Sequence, residues 1–299
     1  MRLVTFREVG RSRCPGVLLF GDQVVDLSED FLSLHEVVAG GDAALGQVRR
    51  MVDGDAPRLD AGAVELLAPL PDHARNLFAT GWNYVDHFDE GAGRAADAPD
   101  FPEHPTFFTK LSSTVIASGA PVPHDADLSD RLDYEAELAV VIGLQGRNIP
   151  RDRALEHVFG YTIANDVTAR DIQRSHGGQW FRGKSLDRTC PLGPAIVTAD
   201  EIPDPQDLVV RCEVNGEVRQ EANTATMAFS VAELIAELSR GLTLFPGDVL
   251  LTGTPSGVGY ARTPPRFLAP GDEVVASISG LGDLRNPVVA EDLTSYRCA

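Results

Sequence analysis

The stretch Leu132-Asp133-Tyr134-Glu135-Ala136-Glu137-Leu138-Ala139-Val140-Val141-Ile142-Gly143 constrains this chain more than any other. Its aliphatic run from Leu138, closed by Gly143 and the Gly146 turn, predicts a buried β-strand. Side chains alternate along a strand, so Glu135 and Glu137 share a face, about 7 Å apart along the chain. Two carboxylates leading into a buried run repel each other and lose hydration, and a divalent cation held between them relieves both costs. The competing reading is the exposed end of an edge strand with both glutamates solvated. The strand alone does not choose between the two.

The 299 residues suffice for one large domain, or for a small one beside a larger one. An apolar share of 43% and a charged share of 23% belong to a globular chain rather than a disordered one. The formal net charge of −18 argues against a nucleic-acid partner, since no basic face can offset it. No apolar run approaches the roughly 18 residues of a membrane span. The N-terminus lacks a signal-peptide core, being interrupted by Arg2 and the polar Arg7–Arg13 segment. Cys14, Cys190, Cys212 and Cys298 are scattered without a Cys-x-x-Cys pair, so neither a zinc site nor a disulfide framework is indicated. The expectation is a soluble cytoplasmic protein with reduced thiols.

Residues 1–70 read as a small N-terminal α/β module. Met1–Phe6, Val17–Phe20 and Gln23–Leu27 are short strand candidates, with a hairpin turn at Gly21-Asp22. Two short helices, Leu32–Val38 and Ala43–Val52, are split by Gly40-Gly41. The stiff Ala68-Pro69-Leu70-Pro71-Asp72 segment marks the boundary, and residues 71–299 form the second domain. There, strands are expected at Asn76–Thr80, Phe107–Ile116 and Phe159–Ala164, and a helical turn at Val167–Arg174. Asn215-Gly216 predicts a hairpin between Leu208–Val214 and Glu217–Gln220. Ser230-Val231-Ala232-Glu233 is a capping box opening a helix that runs to Arg240. Pro-Gly-Asp turns launch strands at Val249–Thr252 and Glu273–Ile278. Many short strands with few helices give a β-rich domain of the α+β class.

A third acid, Asp166, ends a predicted strand within Ile163-Ala164-Asn165-Asp166. Three carboxylates suit a hard cation such as Mg²⁺, Mn²⁺ or Ca²⁺. A helix N-cap is the plainer job for such an aspartate. His87 and Glu90 lie three residues apart, so one helical turn would let the carboxylate orient an imidazole that serves as a base; a lone pair at this spacing is more often a loop histidine beside acids. Residues 178–185 match the P-loop pattern, but a polar, helix-like segment precedes them and proline and glycine interrupt residues 186–194, so no phosphate cradle is expected. Lys184 within them is either a cation near the metal or a surface lysine. The glycine-rich Thr252–Gly259 segment comes after a strand; its amides could receive a carboxylate or phosphate, or it is a plain wide turn. No Gly-x-Ser-x-Gly elbow occurs, so a serine hydrolase has no support.

Taken together and in order, these pieces resemble the fumarylacetoacetate hydrolase superfamily, especially its smaller members. The matching segments are Gly81-Trp82-Asn83-Tyr84-x-x-His87-x-x-Glu90, Asp133-Tyr134-Glu135-x-Glu137-Leu138, Asn165-Asp166-Val167-Thr168-Ala169-Arg170-Asp171-x-Gln173, Gly183-Lys184-Ser185 and Thr252-Gly253-Thr254-Pro255-x-Gly257-Val258-Gly259, with Pro270-Gly271-Asp272 and Gly280-Leu281-Gly282 closing the chain. The resemblance implies the β-rich C-terminal fold of that family, a smaller N-terminal domain and a homodimer. It implies Glu135, Glu137 and Asp166 as ligands of a divalent metal, Mg²⁺ with Mn²⁺ or Ca²⁺ as alternatives. It also implies His87 and Glu90 as a water-activating dyad on a lid to which Gly91–Pro105 belongs, Lys184 as a catalytic cation, and Arg170, Gln173 and Thr254 as substrate contacts. Trp82 stands where family members often carry a smaller or basic residue, and the lid is longer, so the substrate is the open point. The expected activity is hydrolysis of a C–C bond in an acylpyruvate-type β-diketo acid through an enolate. The alternatives are decarboxylation of oxaloacetate or isomerisation of a 2-oxo acid at the same site, and a non-catalytic 2-oxo-acid or metal binder.

Overall fold

The computed structural model describes residues 1–20, 22–71, 75–91 and 100–291. Its main sheet has 12 strands. Ten run across it in spatial order, Arg58–Asp60, Gln23–Asp26, Cys14–Leu19, Arg2–Arg7, Cys190–Thr198, Val158–Asn165, Ala136–Ile142, Val249–Leu251, Leu77–Gly81 and Thr106–Lys110, while Glu65–Leu67 pairs with Arg2–Arg7 and Val115–Ile116 with Cys190–Thr198 off this path. A five-stranded sheet of Glu217–Asn223, Val209–Val214, Glu273–Ile278, Gly282–Ala290 and Val122–His124 packs beside it.

The apolar run expected as a buried strand is Ala136–Ile142, all of it buried and flanked on both sides by partners. Its side chains divide between two cores. Leu138, Val140 and Ile142 join the cluster of Ile163, Val210, Ala276 and the helix Val231–Leu238. Ala139 and Val141 join the cluster of Leu192, Leu251 and the N-terminal Leu34, Val37 and Val48. Burial on both faces explains why the run does not alternate in polarity.

Local signals account for many of the boundaries. Asn215 and Gly216 both take positive φ (54° and 75°), the conformation of a tight hairpin turn, between Val209–Val214 and Glu217–Asn223. Ser230 and Glu233 form the reciprocal cap of their helix, which ends at Leu238, before the expected Arg240. The N-terminal helix Leu34–Asp53 is continuous in outline but kinked at Gly41 (φ 53°, ψ −138°), where a break between two helices is expected. The Val167–Arg174 turn resolves into a two-residue strand, Thr168–Ala169, and a helix from Arg170 to Ser175, because Thr168 and Ala169 pair with Asp133 and Leu132.

The boundary expected near residue 70 separates strands that lie in one sheet, since Arg2 and Leu3 pair with Val197 and Ile196. Gly21, Asp72, Cys298 and most of the expected lid, residues 92–99, lie outside the described residues. Among the described residues no helix is long and apolar enough to cross a membrane, and Cys14, Cys190 and Cys212 are free thiols.

Candidate active site

Strand register brings the acids together. Glu137 pairs with Ala164 and Ala136 with Asn165, so Asp166 leaves its strand beside Glu135, donating its backbone N–H to the Glu135 carbonyl at 2.8 Å. Glu135 itself lies just before the strand rather than within it. Its N–H is taken by the Asn165 side chain at 3.0 Å instead of by a ladder partner. All three acids are buried, and one ligand oxygen from each lies within 4.8 Å of the others.

Cations neutralise part of this cluster. The Lys184 ammonium sits 2.5 Å from Glu135 Oε2 and 2.7 Å from Asp166 Oδ2. Arg170 reaches Glu135 Oε1 at 2.6 Å and Asp133 Oδ2 at 2.8 Å. Lys110, fully buried, lies 2.8 Å from Asp166 Oδ1 and also donates to the carbonyls of Val167 and Lys184. The titrations divide accordingly. Burial pushes the Glu135 carboxyl up, but Arg170 and then Lys184 outweigh it and hold the group well below the usual carboxylate range. Burial, then Asp166 and Glu135, push Glu137 far above that range. Burial pulls Lys184 down, yet Asp166 and Glu135 raise it overall, so it stays an ammonium. The burden on Glu137, buried among two further carboxylates, is what a hard, oxygen-seeking cation would satisfy, so the three acids could bind a metal ion.

The glycine-rich Thr252–Gly259 segment receives carboxylates, but those of the chain itself. Gly253 N–H donates to Glu137 at 2.6 Å, Gly257 N–H to Glu90 at 2.9 Å and Gly259 N–H to Asp133 at 2.7 Å. His87 and Glu90 lie on the helix Val85–Gly91, with His87 Nδ1 and Glu90 Oε1 2.9 Å apart. Both Glu90 oxygens are therefore engaged. A carboxylate acceptor at Nδ1 places the ring proton there and leaves Nε2 as the free acceptor.

A cavity of about 110 Å³ joins these groups and is lined by His87, Glu135, Glu137, Arg170, Gln173, Lys184 and Thr254. It has room for a small acid; pockets for drug-sized ligands start at roughly 300 Å³. The Gln173 amide oxygen lies 3.3 Å from Arg170. The Thr254 hydroxyl donates to the Ala136 carbonyl and accepts from Gln220, so it braces the cavity wall while touching it. Asp166 and Glu90 stand behind the lining.

Further groups at the site escape a sequence reading. Lys110 ends the strand Thr106–Lys110, where a lone lysine after apolar residues is itself a signal of buried pairing. Asp133 and Asn165 stand in the matching segments without an assigned role and hold Arg170 and the Glu135 N–H, while Gln220, which carries no motif, accepts from the Ala136 N–H. Trp82 and Trp180 form an aromatic wall, ring centroids 4.7 Å apart, and Trp82 takes a left-handed φ of 53°. Backbone strain of this kind in a bulky residue clusters at functional sites.

The sheet-rich fold thus carries three buried acids, a histidine–glutamate pair and a buried lysine at one small cavity. The family model described as fumarylacetoacetate (FAA) hydrolase C-terminal matches residues 76–289, and the chain belongs to that family. It is 45% identical over 264 residues to the oxaloacetate tautomerase YisK of Bacillus subtilis, covering 86% of each chain. It is 44% identical over 264 residues to the human mitochondrial oxaloacetate tautomerase FAHD2A, covering 86% of this chain and 80% of that one. The solved fumarylacetoacetate hydrolase of psychrophilic Exiguobacterium antarcticum superposes with a TM-score of 0.83 at 43% identity, covering 97% of this chain and all (100%) of that one.

Proposed function

We propose that this protein is a divalent-metal-dependent enzyme that interconverts the keto and enol forms of a 2-oxo acid, with oxaloacetate as the leading substrate. The observation that carries the reading is the pairing of a free imidazole acceptor, His87 Nε2, with a fixed ammonium, Lys184, at one small cavity beside three acids. The names of the relatives favour this reading over the C–C hydrolysis expected from the sequence.

Glu135, Glu137 and Asp166 would hold the cation, Mg²⁺ or alternatively Mn²⁺ or Ca²⁺. When bound, it would draw electron density from the 2-oxo acid and favour loss of a proton beside the carbonyl. His87 is the proton carrier: it takes the hydrogen from C3 of the keto form, and the C–H electron pair becomes the C2–C3 double bond. The imidazolium then returns that proton to the C2 oxygen, so His87 is neutral again and no atom is gained or lost. Glu90 fixes the imidazole's tautomer and stabilises the imidazolium. Lys184 stays charged and faces the oxygen on which negative charge builds, a donor rather than a base. Arg170 and Gln173 would steady the acid's first carboxylate, and Thr254 would shape the wall.

A second reading, hydrolysis of an acylpyruvate, is favoured by the His87–Glu90 pair, which could equally activate water, and by the name of the solved relative. The two differ in mass balance. The metal-loaded protein is incubated with enol oxaloacetate and with an acylpyruvate series, and products are read by mass spectrometry. Tautomerisation speeds enol decay with unchanged mass, and His87→Ala lowers that rate about 100- to 10,000-fold. Cleavage of an acylpyruvate without any effect on enol decay would overturn the tautomerase reading. On the family resemblance we further propose a homodimer.

A further inference from the structure

The cluster of acids and cations explains how the site takes one carboxylate, and one residue outside that cluster bears on a second. Around the acids, Asp133, Glu135, Glu137 and Asp166 face Lys110, Arg170 and Lys184, leaving one net negative charge when all four are ionised. A divalent ion turns this into one positive charge, which the first carboxylate of a 2-oxo acid cancels. A second carboxylate would enter a narrow cavity with no charge left to meet it, and an unpaired charge in such a place is costly. Glu90 adds a negative charge nearby.

Arg174 is the exception. It lines the same cavity and, with Arg170 and Tyr260, also a larger neighbouring groove, so it stands between the two. Every other cation on that lining is held by carboxylates: Arg170 by Asp133 and Glu135, Lys184 by Glu135 and Asp166. Arg174 makes no ion pair with any described residue. Its guanidinium is held by stacking instead, with its central carbon 4.4 Å from the centroid of the Tyr260 ring. Arg170, one turn earlier on the same helix, stacks on that ring at the same 4.4 Å.

The ring is a fixed platform. The Tyr260 N–H donates to Asp133 Oδ2 at 3.1 Å. A Cβ on Gly91, at the end of the helix carrying His87 and Glu90, would fall 2.0 Å from the Tyr260 hydroxyl, so a larger residue there would displace the ring. Stacking orients a guanidinium while leaving its N–H edge free, which is the geometry for bidentate carboxylate recognition.

We propose that Arg174 is the specificity-determining residue that receives the distal carboxylate of a dicarboxylic 2-oxo acid, selecting such acids over monocarboxylic ones. The proposal rests on the 2-oxo-acid reading given above. Trp82 and Trp180 are the only tryptophans of the chain and both line the cavity, so intrinsic fluorescence reports binding directly. Wild type, Arg174→Gln and Arg174→Lys, each with saturating Mg²⁺, are titrated with 3,3-difluorooxaloacetate, which carries two carboxylates and cannot enolise, and with pyruvate, which carries one. The expected result is a loss in affinity of about 10- to 100-fold for difluorooxaloacetate in Arg174→Gln, partly restored in Arg174→Lys, with pyruvate unchanged. Equal loss for both ligands, or loss for neither, would overturn the proposal while leaving the 2-oxo-acid reading intact. Wild type binding neither ligand would overturn that reading itself, and the proposal with it.

Discussion

Glu137 is the residue under most electrostatic load. It is buried, it shares its space with Asp166 and Glu135, and its relief from protein groups is a backbone N–H from Gly253 and the more distant Lys184. Its carboxyl therefore titrates far above the ordinary range in the ion-free protein. A metal ligand must be deprotonated, so an ion held by the three acids would compete with the proton for Glu137. Metal affinity is expected to weaken as pH falls through that raised pKa, with close to one proton released per ion bound below it. Calorimetry in two buffers of different ionisation enthalpy reads the proton directly, and Glu137→Gln should abolish the release as well as most of the affinity. The sign for stability is opposite to that of an ordinary paired carboxylate. Because the native state holds this proton more tightly than the unfolded chain, the ion-free protein loses stability as pH rises from the unfolded pKa towards the folded one.

Elements, rather than single residues, set the shape of the cavity. The strand Leu77–Gly81 ends where Trp180 arrives from a distant turn, and a Cβ at position 81 would lie 2.1 Å from the Trp180 ring. Trp180 in turn packs edge-on against Trp82 and Phe108. Gly81→Ala should therefore drive Trp180 off the wall. The expected outcome is a shifted tryptophan emission maximum and weaker substrate binding, with metal binding unaffected, since the acids sit on other strands. An unchanged spectrum would show that the wall absorbs the methyl group. The Thr252–Gly259 segment works at the same scale. One run of backbone amides takes Glu137, Glu90 and Asp133, so a candidate metal ligand, the partner of His87 and the partner of Arg170 share a common support.

Across the whole molecule, the candidate metal site lies where the two most buried strands end. An ion bound there would tie Ala136–Ile142 to the exit of Val158–Asn165 and offset repulsion that the native state otherwise carries. At a hundredfold excess over its Kd, Mg²⁺ should stabilise the fold by about 2.7 kcal/mol, raising Tm in differential scanning fluorimetry, with EDTA reversing the shift. No shift with Mg²⁺, Mn²⁺ or Ca²⁺ would remove the metal assignment. The sheet also carries the N-terminal strands, joined through the Arg2–Val197 and Leu3–Ile196 pairs, and its second face is covered by the apolar side of the Leu34–Asp53 helix.

Much of this was open to a reader of the sequence, for a physical reason: local chemistry is written locally. Turn residues at Asn215-Gly216, the cap at Ser230–Glu233, the unbroken aliphatic run after Glu137 and the turn-spaced His87 and Glu90 each depend on neighbours a few positions away. The acids were legible as a group because ionised side chains beside apolar runs demand a partner. What that partner is among the protein's own groups was decided only by tertiary structure. Strand register, set by pairings of distant residues such as Ala136 with Asn165, seats Asp166 beside Glu135. Chain crossings bring Lys110 to Asp166 and Tyr260 beneath Arg170 and Arg174. A lysine ending a strand and an arginine on a short helix look the same in sequence whether paired or free. Charge acts through space, and only the folded chain says which charges meet.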